Sequence, residues 1–219
     1  MFIEQPAIYL RWLYPHALWR MDPSVKAVYL TFDDGPIPEA TPFILDTLAH
    51  YGVKATFFVV GDNVRKYPDL FRQVVEEGHR VGNHTYNHIG GLKYLSKNYL
   101  KNAEKAKEKI ESIAAAILTS TANGRNSSLP LFRPPHGWMR HDQYQTLTKH
   151  YRVVMWDLVT RDYSKRLTAA DVVSNVKRYA RNGSIITFHD SLRSIDKLYT
   201  ALPESLEWLI AQGYEFGVL

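Results

Sequence analysis

The sequence predicts an α/β fold of repeated βα units, either a closed barrel or a doubly wound parallel sheet. Three observations predict it. Apolar runs recur with amphipathic segments between them, the alternation expected of strands and helices. The runs are rich in β-branched and aromatic residues, and several lack a polar alternation, as in strands covered on both faces. Gly78, Gly183 and Gly213 stand just past helical segments that precede strands, where a helix end needs a residue tolerant of the left-handed conformation.

Strands are predicted at 27–32 (AVYLTF), 55–60 (ATFFVV), 79–83 (HRVGN), 152–157 (RVVMWD), 184–189 (SIITFH) and 214–219 (YEFGVL). Helices are predicted at 39–50, 63–77, 96–118, 141–149, 168–182 and 203–212, the fifth opened by a capping pair, Thr168 and Asp171. The polar segment 119–130 reads as a surface loop rather than a linker, because strands of the same sheet follow it. The 219 residues therefore form one domain, 1–219, with residues 1–24 as an N-terminal extension packing on the barrel. Its aromatics Trp12, Tyr14 and Trp19 are expected to plug the barrel's end, as a small amphipathic stretch rather than a membrane anchor.

Composition narrows the function. With 45% apolar and 22% charged residues the chain is neither disordered nor fibrous. It has no cysteine, so any metal must be held by His, Asp, Glu or backbone oxygen. The net charge of +5 is scattered rather than gathered in a stripe, which argues against nucleic-acid binding. The first twenty residues are interrupted by Pro6, Arg11, Pro15 and Arg20, so they carry neither a signal-peptide pattern nor a transmembrane segment. By sequence the protein is expected in the cytoplasm, or in the envelope if an export signal has been removed. Oligomeric state is not legible.

Five stretches carry chemistry. In TFDDGP two aspartates, Asp33 and Asp34, end an apolar run that Gly35 and Pro36 terminate. Adjacent strand residues point to opposite faces, so the pair can serve one site only if the strand has ended there. In GNHTYNH, His84 and His88 are four apart, a spacing that on a helical turn puts both imidazoles on one face. Two histidines and one carboxylate complete a three-ligand site, and a catalytic metal keeps its remaining position open. The other carboxylate is then available as a general base. The alternative, a pair that merely caps the helix near Glu39, gives the histidines no role.

In FRPPHGW, Arg133 can pair with the base carboxylate while the proline-stiffened backbone offers an N–H to a developing oxyanion. In SIITFHDS, His189 ends a strand whose carboxyl end should reach the same face, where it can protonate a leaving group. In WDLVTRDYS, either Asp157 or Asp162 can hold a catalytic histidine protonated.

These five stretches together resemble the polysaccharide deacetylases with a NodB-homology domain, carbohydrate esterase family four, and with flanking elements the resemblance spans nearly the whole chain. It implies an irregular (β/α) barrel with about seven parallel strands. It also implies removal of acetyl groups from N-acetylated oligo- or polysaccharides such as peptidoglycan, using a divalent metal. Zn2+ is the first expectation, with Co2+, Mn2+, Ni2+ and Fe2+ as alternatives. By the resemblance Asp33 is the base, Asp34, His84 and His88 are the metal ligands, Arg133 pairs with Asp33, the N–H of His136 serves the oxyanion, and His189 is the acid. Asp162 matches the aspartate of the family's fourth motif.

Three residues depart from the family pattern. His136 stands where Tyr or Phe is usual, Tyr163 where Trp follows the motif aspartate, and Thr187 where leucine precedes the histidine by two. All three are expected to line the acetyl and sugar pocket, and Trp138 and Tyr163 can stack on a sugar face. The alternatives are an O-acetyl esterase on the same site, a non-haem iron oxygenase with the same ligand set, and a silent relative that only binds glycan. The oxygenase would have no use for Asp33, Arg133 and His189.

Overall fold

The run that ends in the paired aspartates is an interior strand of the sheet, with neighbours on both sides. In the computed structural model, which describes residues 4–118 and 129–219, the chain passes in order through α1 (Ile8–Leu13), β1 (Ala27–Asp33), α2 (Thr41–His50), β2 (Thr56–Val59), α3 (Gly61–Lys66), α4 (Pro68–Glu76) and β3 (Arg80–Asn83). It continues through α5 (Ser96–Leu118), β4 (Leu131–Phe132), α6 (His141–Leu147), β5 (Arg152–Val153), β6 (Leu158–Val159), α7 (Ala169–Tyr179), β7 (Ile185–His189), α8 (Ile195–Ala211) and β8 (Glu215–Gly217). Seven strands run in the order β5-β4-β3-β2-β1-β7-β6, all parallel, and β8 pairs with the first residues of β1. This is the irregular (β/α) barrel.

Register explains why the motifs converge. Asp33 pairs with Phe58 on one side and His189 on the other, and Asn83, just before His84, pairs with Phe132, just before Arg133. The strand ends that carry the motifs are therefore level. Side-chain alternation then sorts β1 into two faces. Phe32 stacks on Phe57 and Phe188, at 5.1 and 5.9 Å between ring centres, within the core beneath α2, α4, α7 and α8. Thr31 and Asp33 consequently face the barrel interior.

Several boundaries differ from expectation, each for a local reason. The helix expected over 63–77 is two helices, because Tyr67 leaves the helical region (φ −125°, ψ 59°) ahead of Pro68, which opens α4. The last helix begins at Ile195 instead of 203 and carries Pro203 inside it, held by the buried face of Leu198, Leu202, Leu206 and Leu209. The strand expected over 152–157 is broken: Val153 and Met155 bond to Leu18 of the N-terminal segment at 2.8 Å each, and the chain moves from β4 to β7, which it joins at the Asp157 N–H. β4 and β6, two residues each, and the short α1 carried too little periodicity to be predicted. Residues 119–128 of the expected loop lie outside the described residues.

The N-terminal segment threads between the edge strands β5 and β6. Tyr14 and Trp19 are buried in a second core with Tyr99, Phe132, Tyr144 and Met155. Trp12 is not part of it: it is 75% exposed. The expectation that all three aromatics are inserted is corrected at that residue. Among the described residues no helix is long and apolar enough to cross a membrane.

Candidate active site

β1 ends at Asp33, and Asp34 turns away with φ 92°, a conformation a non-glycine residue adopts only when its surroundings hold it. Here they do, since Asn63 donates to the Asp34 carbonyl at 2.8 Å and Asp190 accepts the Gly35 N–H at 2.8 Å and the Thr41 hydroxyl at 3.0 Å. The turn separates the duties of the two carboxylates. Neither caps α2, whose N-terminus has no side-chain cap.

Asp34 meets the two histidines of the second stretch. The ligand atoms of Asp34, His84 and His88 lie within 4.8 Å of one another, with Asp34 Oδ1 3.0 Å from His88 Nε2 and 3.7 Å from His84 Nε2. The histidines are brought together by a loop, not by the helical turn expected from their spacing: Thr85 and His88 adopt φ of 64° and 52°. His84 Nδ1 lies 2.8 Å from the Arg133 carbonyl. A carbonyl only accepts, so Nδ1 carries the proton and Nε2 offers its lone pair to the site. Burial pushes His84 down to about 4, leaving it neutral. Burial alone would raise Asp34, but its contact with His88 and the charge of His189 hold it well below the usual carboxylate range.

Asp34 Oδ1 is buried and has no hydrogen-bond partner, although two imidazole nitrogens face it. Two imidazole nitrogens and a carboxylate oxygen converging in this way fit a divalent cation.

Asp33 belongs to a separate network. Arg133, fully buried, donates through Nη1 to Asp33 Oδ1 at 2.6 Å and to Thr31 Oγ1 at 2.8 Å, and through Nη2 to the Met155 carbonyl at 2.7 Å. Its guanidinium also lies over the Phe58 ring at 4.1 Å. Thr31 gives its own proton to the Ile186 carbonyl at 3.0 Å, so the Thr187 hydroxyl, 3.1 Å away, donates to Thr31. Thr187 thus sits one layer below the position expected for it. It is buried and supports the Arg133 network instead of lining the pocket.

The question of which aspartate serves His189 is resolved by distance. Asp162 Oδ1 lies 2.8 Å from His189 Nδ1, while its Oδ2 accepts the His189 N–H at 2.7 Å. One carboxylate holds both the ring and the backbone. Burial would lower His189, but the charge and hydrogen bond of Asp162, with smaller contributions from Asp34 and Asp33, raise it to about 9. It is protonated at neutral pH. Asp157 is engaged elsewhere, with Arg181, Ser184 and Arg11.

Of the remaining predicted residues, His136 and Tyr163 touch this centre. His136 is exposed, in the left-handed region (φ 62°), with its ring edge-on to that of His88 at 4.8 Å. Partial desolvation of the ring by its neighbours, and the charge of His88, lower its basicity. Gly137 follows with φ 74°, and a Cβ there would fall 2.2 Å from the Trp156 ring, so only glycine fits. Trp138 is half-buried and accepts the Gly91 N–H on its carbonyl at 3.2 Å. Tyr163 is half-buried with its ring edge-on to His189 at 4.8 Å. Sequence reasoning missed Thr31, Asn63 and Asp190. Asp190 stood inside a quoted motif, but nothing in its spacing to Gly35 signals the contact.

The family described as polysaccharide deacetylase matches residues 20–154, which include all three candidate cation ligands and Arg133. The chain belongs to the polysaccharide deacetylase family. A peptidoglycan-N-acetylglucosamine deacetylase of Bacillus cereus is 33% identical to this deacetylase-family chain over 204 residues, 92% of this chain and 90% of that one. A solved peptidoglycan N-acetylglucosamine deacetylase superposes with a TM-score of 0.84 at 29% identity, covering 95% of this chain and 94% of the other. A family pseudoenzyme from Bacillus anthracis superposes with a TM-score of 0.79 at 27% identity, covering 98% and 71%. Membership alone therefore does not guarantee catalysis, and the individual residues have to carry that conclusion.

Proposed function

We propose that the protein is a metal-dependent hydrolase that removes acetyl groups from N-acetylated sugars of peptidoglycan or a related glycan. The observation that carries this reading is the pairing of two oppositely charged groups around the three-donor site: Asp33 held by Arg133, and protonated His189 held by Asp162. Amide hydrolysis needs both, a base for the attacking water and an acid for the departing amine.

Asp34, His84 and His88 would hold the cation, Zn2+ by preference, as the donor set of two imidazoles and a carboxylate suits it. When bound it supplies Lewis acidity to water and to the acetyl carbonyl. Asp33 takes a proton from the water as its oxygen bonds to the acetyl carbon. The backbone N–H of His136 donates to the oxyanion that develops. His189 then passes its proton to the sugar nitrogen as the C–N bond breaks, leaving acetate and an amino sugar. Tyr163, beside His189, and Trp138 would offer aromatic faces to the sugar.

An O-acetyl ester could enter the same site, but an alkoxide can leave without the proton that an amide nitrogen must receive first, so a protonated His189 suits amide substrates. That the relatives are peptidoglycan deacetylases supports an activity at the cell envelope. Mass spectrometry of N-acetylglucosamine oligomers and peptidoglycan fragments after incubation tests the reading. Products lighter by one acetyl group support it, and loss of acetyl only from O-acetylated substrates would select the esterase.

A further inference from the structure

The short helix α1 is amphipathic with its apolar side turned outward. Ile8, Tyr9, Trp12 and Leu13 are 69%, 51%, 75% and 49% exposed. At 100° per residue these four fall within an arc of about 140°. The opposite side holds the helix to the protein: Leu10 packs on the second core, and Arg11 reaches the buried carboxylate of Asp157 at 3.3 Å. Upstream, the Glu4 carbonyl accepts the Val159 N–H at 2.8 Å, and the Glu4 carboxylate pairs with Arg161 at 2.6 Å. The exposed face is thus fixed in place.

Basic charge lies at its base. Arg11 and Arg181 both pair with Asp157, and Arg20 acts on the same carboxylate. Arg161 and Arg178 act on Glu4. Five arginines thus share two carboxylates at the base of a face made of one tryptophan, one tyrosine and two aliphatic side chains. Aromatic rings with flanking arginines are the composition that settles at a lipid headgroup boundary.

We infer that the outward face of α1 docks on the surface of an anionic phospholipid bilayer, inserting Ile8, Trp12 and Leu13 while the arginines at its base meet the headgroups. A second copy of the chain is a poorer occupant for two reasons. Four side chains on a six-residue helix fall well short of the roughly 800 Å² that each partner brings to a standard interface. A twofold contact would also bring two groups of arginines together. Lipid insertion has neither requirement. The helix lies on the bilayer and does not span it, and the inference stands independently of the substrate.

The test is co-sedimentation of the full chain with phosphatidylcholine vesicles, with and without phosphatidylglycerol, alongside the double variant Ile8→Ser/Trp12→Ser. Wild type is expected to bind the anionic vesicles on the order of tenfold more tightly than the neutral ones at low salt, with the difference shrinking as salt rises. The double variant should lose this binding with its thermal midpoint unchanged, since both side chains are exposed. Absence of wild-type binding, or equal binding by the variant, overturns the inference. So does a wild-type dimer in analytical ultracentrifugation that the double substitution dissociates.

Discussion

Arg133 holds Asp33 at 2.6 Å through its guanidinium, and the same residue's carbonyl lies 2.8 Å from His84 Nδ1. One buried residue thereby orients both the candidate base and a candidate cation ligand. Replacing Arg133 by Ala strands a buried carboxylate and should destabilise the fold by about 3–5 kcal/mol. Arg133→Lys keeps the charge but cannot serve Asp33, Thr31 and Met155 together. It is expected to fold and to lower kcat by at least about a hundredfold, the low end of a general-base contribution. Urea unfolding and steady-state kinetics of the two variants check this.

The His189–Asp162 pair sets a pH limit. His189 is raised from 6.5 to about 9, so its proton, and the stability linked to it, is fully present below about 6.5 and lost as pH rises through about 9. Activity should fall on that basic limb. Asp162→Asn removes the charge that raises His189 and should move the limb down by at least about one unit. A limb that stays in place in the variant would exclude His189 as the titrating acid.

Removing a candidate ligand should abolish tight cation binding. Since even outer-shell partners of a metal ligand are worth about 10–100-fold in affinity, Asp34→Ala and His84→Ala should each cost more than about a hundredfold. Calorimetric titration of Zn2+ into wild type and variants measures it.

Gly35 is packed against the carboxylate that receives its N–H. A Cβ there would lie 1.7 Å from Asp190 Oδ2. Gly35→Ala should therefore displace Asp190 and destabilise the protein by about 1–3 kcal/mol. At roughly 2–4 °C of thermal midpoint per kcal/mol, the shift is readable by calorimetry.

What could be read in the sequence divides along a physical line. β1, β2 and β7 were legible because buried parallel strands are continuous apolar runs, and Asp33, Asp34, His84, His88, Arg133 and His189 because they stand at or just past strand ends. Level register then brings such residues together. β4 and β6 were not legible, since two residues define no period, and the break at Val154 depends on Leu18, which is distant in sequence. Thr187 shows the limit most clearly. Motif position put it on the pocket wall, but strand alternation and the Thr31 hydroxyl put it one layer beneath. Asp190 and Thr31 act through contacts more than 100 residues apart in the chain, which no local pattern encodes.

The central claim is that Asp34, His84 and His88 bind a cation on which deacetylation depends. It is tested most directly by acetate release from N-acetylglucosamine oligomers and peptidoglycan, with the protein first stripped of metal and then refilled with Zn2+, Co2+, Mn2+, Ni2+ or Fe2+. Release that disappears on stripping, returns with stoichiometric metal and is absent in Asp34→Ala is the predicted result. Stoichiometric metal binding without acetate release from any of these substrates would contradict the account and leave a glycan-binding relative in its place.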